Sequence, residues 1–115
     1  MYRLKLERLL AESPIIRSTD IRIEDEDDTI KIFGRLLFVD GSLLYFFEYH
    51  ALGELRKYRF HWQTRDSALI ARWDNAPHFT SMKTFPDHKH TPIGDLPSKQ
   101  RRLHDVIEEI EQGLL

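Results

Sequence analysis

Between Arg72 and His90 the chain concentrates groups able to move protons and hold anions. The strings Arg72-Trp73-Asp74-Asn75-Ala76-Pro77-His78 and Phe85-Pro86-Asp87-His88-Lys89-His90 place three of the six histidines, two aspartates, an arginine and a lysine within nineteen positions. Such a composition is poor for core packing and well suited to phosphate chemistry or ligand binding. Cleavage of RNA needs a base for the 2′-hydroxyl proton, an acid for the leaving oxygen and cationic donors for the charge of the transition state. His78, His88 and His90 supply candidate acids and bases, and Asp74 a carboxylate to orient an imidazole. Arg59, His61, Arg72 and Lys89 supply candidate substrate-binding groups.

The same residues admit a second chemistry. His88-x-His90 on a strand is a chelating arrangement, and His78, Asp74 or Asp87 would complete three or four ligands for zinc, manganese or iron. Lys89, between the two histidines, argues against it by bringing a positive charge to the ion. The expected site is therefore free of metal and of any other cofactor, with a His-based metal-dependent hydrolase as the alternative. A third reading is a recognition surface without turnover, binding nucleic acid or protein.

The net charge of −2 conceals a strong asymmetry. Residues 1–54 hold seven Lys/Arg against eleven Asp/Glu, residues 55–102 ten against four, and residues 103–115 none against four. The blocks thus carry −4, +6 and −4, and the positive block contains the candidate site. A basic patch around histidines fits RNA or DNA, which are bound largely through Lys and Arg contacts to phosphate. With no cysteine in the chain, disulfides, thiolate metal sites and cysteine nucleophiles are excluded. No apolar run approaches the ~20 residues of a membrane span. The expectations are one domain over 1–115, a cytoplasmic location, no membrane partner, and a sequence compatible with a homodimer.

The elements that would position these groups follow from periodicity. Tyr2 to Ala11 reads as a helix with Tyr2, Leu6, Leu9 and Leu10 on one face, stopped at Ser13-Pro14. Strands are expected at 15–24, 29–39 and 43–49, with the acidic run 24–28 as a turn and tight turns at Asp40-Gly41 and Leu52-Gly53. From Leu55 to Trp62 the alternation puts Tyr58, Phe60 and Trp62 on an apolar face and Lys57, Arg59 and His61 on a basic one. Leu69, Ala71 and Trp73 share one side of the next strand; Ile70, Arg72 and Asp74 share the other. If the register across that hairpin holds, Arg59, His61, Arg72 and Asp74 lie on a common polar face. Phe85 to Ile93 returns as a short edge strand carrying His88 and His90 on one side, and 94–97 reads as a loop. A final helix, capped by Ser98 and opening with Lys99, Arg101 and Arg102, has the stripe Leu103, Val106, Ile107, Ile110 and Leu114. The fold class is α+β, an antiparallel meander of five or six strands with a helix at each end.

Four segments, in order, resemble the TumE-type toxins of prokaryotic toxin–antitoxin systems: Lys57-Tyr58-x-Phe60-His61-Trp62, Arg72 to His78, Phe85-Pro86-x-His88-Lys89-His90, and Ile107-Glu108-Glu109-Ile110. The likeness covers about residues 40–112. His78, His88, His90, Arg72, Asp74 and Lys89 match the pattern, while Phe79 and Asp87 stand where many relatives carry histidine. The resemblance implies a growth-inhibiting toxin held by a cognate antitoxin of the kind that carries a DNA-binding domain. Ribonuclease action of the mRNA-cleaving type is the reading the residue chemistry adds.

Overall fold

A computed structural model of the protein describes residues 2–77 and 84–114. Helix α1 (Tyr2–Glu12) leads into strands β1 (Ile16–Glu26), β2 (Thr29–Phe38), β3 (Leu43–Ala51), β4 (Glu54–Gln63), β5 (Leu69–Asp74), β6 (His88–Thr91) and β7 (Gly94–Pro97), and helix α2 (Leu103–Leu114) follows. All seven strands form one antiparallel sheet in sequence order, each paired with its neighbours in the chain. Among the described residues no helix is long and apolar enough to cross a membrane.

The strand count exceeds the five or six expected because residues 94–97 form β7. Thr91 donates its hydroxyl to the Gly94 carbonyl at 2.7 Å across a turn at Pro92-Ile93, and β7 pairs with β6 from Thr91↔Gly94 to His88↔Pro97. Gly and Pro are poor strand formers, and Pro is tolerated here because β7 is an edge. The acidic run is likewise mostly strand: β1 extends to Glu26, and only Asp27 and Asp28 turn, with Asp27 at φ +52°. Asp tolerates that left-handed conformation better than most residues. Glu24, Asp25 and Glu26 are exposed along β1 and need no loop to reach water.

One face of the sheet carries the core. Ile32, Leu36, Leu44, Phe46, Tyr58, Phe60, Ala71 and Trp73 are buried there against Leu6 of α1 and Leu103, Val106, Ile107 and Ile110 of α2. Burying each such aliphatic side chain contributes about 1.5–3 kcal/mol relative to leaving it exposed. Tyr58 and Phe60 are buried while Lys57 and Arg59 are exposed, as the alternation requires, although His61 and Trp62 are both half-buried. A bulge opposite Tyr49/His50 resets the period, so that Leu55 and Tyr58, three positions apart, both face inward. At Gly34, whose φ is +150°, an added Cβ would meet the Asp20 carbonyl oxygen at 1.9 Å, so the close approach of β1 and β2 depends on the missing side chain.

Helix α2 starts at Leu103, and Lys99, Arg101 and Arg102 precede it instead of filling its first turn. Ser98 is therefore not its cap. Arg102 N donates to Asp105 Oδ2 at 2.8 Å, and Leu103 N donates to Oε2 of the fully buried Glu48. Carboxylates at a helix N-terminus are favourable both as acceptors and against the helix dipole. Glu48 Oε1 also lies 2.7 Å from His50 Nε2, so β3 and α2 are joined through one carboxyl group inside the core.

Candidate active site

Cross-strand register decides which side chains meet. Arg59 stands opposite Asp74 and His61 opposite Arg72; Arg72 in turn stands opposite His90, and Asp74 opposite His88. Residues directly opposed share a face. Arg59, His61, Arg72, Asp74, His88 and His90 therefore occupy one face across β4, β5 and β6, turned away from the helices. The register condition posed by the sequence is met.

Asp74 is the hub. Its Oδ1 lies 2.8 Å from His88 Nε2 and its Oδ2 3.3 Å from His90 Nε2 and 3.5 Å from Arg72 Nε. Ala76 N donates to Oδ1 at 3.1 Å where β5 ends. The two imidazoles meet edge to face with ring centroids 4.6 Å apart. Asp74 and His88 are buried, His88 with only 1% of its surface exposed, whereas His90 and Arg72 are half-buried. Both outer ring nitrogens are tied down: His88 Nδ1 sits 2.9 Å from the Pro86 carbonyl, and His90 Nδ1 2.6 Å from Asp95 Oδ1. The Pro86 carbonyl and the Asp95 carboxylate both accept, so each Nδ1 donates, and each ring turns its Nε2 towards Asp74.

Beside this cluster, burial together with the positive charges of Arg59 and Arg72 lowers the pKa of His61 below the ordinary histidine value, keeping the ring neutral near pH 7. Tyr45, Phe47, Arg59 and His61 line a shallow depression on the same face.

Lys89 is placed apart from the other candidates. It lies opposite Trp73 on the core side, its Nζ 5.1 Å from the centre of the Trp73 ring and 2.9 Å from Glu109 Oε2 of α2, a carboxylate that also receives Arg101 at 3.1 Å. The strand period that puts His88 and His90 together is what turns Lys89 away. Asp87, weighed as a ligand, instead accepts the Tyr58 hydroxyl at 2.6 Å. His78 lies outside the described residues.

Two participants were not singled out from sequence. Asp95 was hidden by the reading of 94–97 as a loop, and only the β6–β7 pairing brings it opposite His90. Asn75 continues the β4–β5 ladder with its side chain, accepting from Tyr58 N at 3.1 Å and donating to the Arg56 carbonyl at 3.0 Å. An Asn just after a strand and just before Ala-Pro is the signal that could have marked it. A larger apolar groove of about 620 Å³, lined by Leu6, Leu10, Ile21, Ile23 and Ile30 among others, lies between α1 and the first strands and contains none of the candidate residues.

Comparison with known proteins adds one match: the family model described as Toxin TumE covers residues 6–114. Neither a curated protein nor a solved structure matches the chain.

Proposed function

The chain belongs to the TumE toxin family, toxins of toxin–antitoxin systems, and from that premise we propose that it arrests growth by cleaving RNA at the cluster centred on Asp74. Membership of a toxin family implies a cognate antitoxin as partner, and we take that antitoxin to be of the kind with a DNA-binding domain.

The observation that carries the RNA reading is the shared face. Arg59 and Arg72 flank the Asp74–His88–His90 cluster on the side of the sheet opposite the helices, and the half-buried rings of Phe33 and Phe47 and the exposed ring of Tyr45 extend that face over β2 and β3. Guanidinium groups hold phosphates, and aromatic faces stack unpaired bases. In this reading Arg59 and Arg72 receive the backbone. Neutral His61 donates a hydrogen bond. His90, the more open imidazole, faces the reacting phosphate, while buried His88 fixes Asp74 and the neighbouring ring without touching RNA. Lys89, held by Glu109, has no part in substrate binding. The expectation of a metal-free site rested on Lys89 lying beside the two imidazoles, and its position on the other face removes that argument.

Expression with and without the antitoxin, followed by growth and total RNA, tests the reading. Growth arrest with RNA loss, reduced at least tenfold by Arg72→Ala and by His90→Gln in folded protein, is the expected result. Growth arrest with intact RNA would replace it by the recognition surface without turnover.

A further inference from the structure

We propose that Asp74, His88 and His90 form a binding site for one divalent transition-metal ion, Zn²⁺ or Mn²⁺, on the same face as the RNA reading above, which this proposal deepens. Three observations converge on it. Ligand atoms of the three residues lie within 4.8 Å of one another, and two of the three side chains are buried. Bonds of about 2.0–2.2 Å meeting at tetrahedral or octahedral angles put neighbouring ligand atoms about 2.9–3.5 Å apart. Asp74 Oδ1 stands 2.8 Å from His88 Nε2 and Oδ2 3.3 Å from His90 Nε2, close to that spacing.

The second observation is orientation. Metal-bound imidazoles nearly always donate their other N–H to a carbonyl or carboxylate, which fixes the tautomer and the ring plane. Both rings have such a partner here, the Pro86 carbonyl for His88 and the Asp95 carboxylate for His90. Rings held in this way turn both Nε2 atoms towards one carboxylate, as a three-ligand site requires.

Charge is the third. Two carboxylates, Asp74 and Asp95, stand at the site against one guanidinium, Arg72, and the lysine that would have repelled an ion is bound to Glu109 beyond the sheet. Two imidazoles and a carboxylate suit Zn²⁺, Mn²⁺ and Fe²⁺ rather than Mg²⁺ or Ca²⁺, and three protein ligands leave a position open to water or a phosphate oxygen.

The test uses the full chain, stripped with EDTA and titrated separately with Zn²⁺ and Mn²⁺ by calorimetry, with metal content measured after dialysis. One ion per chain is expected, with a rise in melting temperature. Asp95→Asn should weaken binding about 10–100-fold through His90, and His90→Gln should weaken it further, both in variants whose circular dichroism matches the parent. Lys89→Met should leave affinity unchanged. Binding that persists in His90→Gln, or no binding by the parent chain, overturns the proposal. RNA loss is followed in the same preparations. Metal binding without RNA loss rejects only the ribonuclease reading, and RNA loss that survives EDTA in protein binding no metal rejects only the metal site.

Discussion

Replacing Tyr58 by Phe separates one hydrogen bond from everything else its ring does. Tyr58 is 1% exposed and stacks on Phe60 with ring centroids 5.4 Å apart, and its hydroxyl donates to Asp87 Oδ1 at 2.6 Å. Phe keeps the volume and the stacking, so no cavity term enters. The loss is one bond to a charged acceptor, about 1.5–3 kcal/mol where the partner is left dry. Asp87 is only half-buried, so water recovers part of this, and about 1–2 kcal/mol of destabilisation is expected at pH 7. At about 3–6 °C per kcal/mol for a domain of this size, the melting temperature should fall by roughly 3–12 °C.

A second limb of the same experiment checks the cause. Burial, and then the Asp87 carboxylate, raise the Tyr58 pKa well above its ordinary value of 10.0. A raised folded-state pKa contributes stability that is complete below the unfolded value and is lost as pH rises, because the unfolded chain gives up the proton first. The parent should therefore lose stability above about pH 10 by a contribution that Tyr58→Phe lacks, and the gap between the two should narrow. Contributions common to both proteins cancel in the difference. Urea denaturation at pH 7, 9, 10 and 11 reads both limbs. Equal stability at pH 7, or a gap that widens with pH, would refute this account of the Tyr58–Asp87 bond.

Three further outcomes are expected. Gly34→Ala drives a Cβ into the Asp20 carbonyl oxygen at 1.9 Å and should cost about 2–4 kcal/mol in urea denaturation; a loss under about 0.5 kcal/mol would mean that the β1–β2 approach is looser than described. Leu52, at φ +51° and 71% exposed in its turn, holds a conformation that Asn adopts more readily; Leu52→Asn should stabilise by about 0.5–1 kcal/mol by the same measurement, and destabilisation would contradict the strain assigned to it. His61 should titrate by NMR below the ordinary histidine value, and Arg59→Gln should raise its pKa. Because the folded-state pKa is the lower one, His61 contributes stability that is present above its unfolded pKa and lost as pH falls through the folded value, and an unmoved titration in Arg59→Gln would remove Arg59 as a cause.

Much of the framework was legible because period and turn chemistry agreed. Tyr58 and Phe60 declared a buried face, Asp40-Gly41 and Leu52-Gly53 closed their hairpins, and the α2 stripe of Leu103, Val106, Ile107 and Ile110 is the buried one. What remained hidden depended on pairings with no local signal. The four residues of β7 carry Gly and Pro and become a strand only by completing β6, and that pairing alone brings Asp95 to His90. The register that aligns Arg59 with Asp74 follows a bulge at Trp62/Gln63, which no alternation rule reveals. Lys89 illustrates the opposite failure. Its orientation away from His88 and His90 was implicit in the period of two, but its charge was weighed by sequence proximity rather than by face. The start of α2 was misplaced because Ser98 is a good cap by type, whereas Glu48, 55 residues before Leu103, supplies the acceptor that receives the Leu103 amide.

The plain neighbour-to-neighbour order of the sheet also bears on how the molecule comes into being. Every strand pairs with its neighbour in the chain and all the connections but the one from β5 to β6 are short, so assembly can proceed as a zipper along the chain with little loop entropy to overcome at most steps. In such a zipper the proposed ligands arrive late: Asp74 ends the fifth strand and His88 begins the sixth, with most of the sheet already in place before they meet. A nascent chain is thus harmless in the sense proposed above until its sixth strand is made, and Asp95 cannot hold His90 in position until the seventh has joined. Chemistry placed near the end of a meander is switched on by completion of the fold itself.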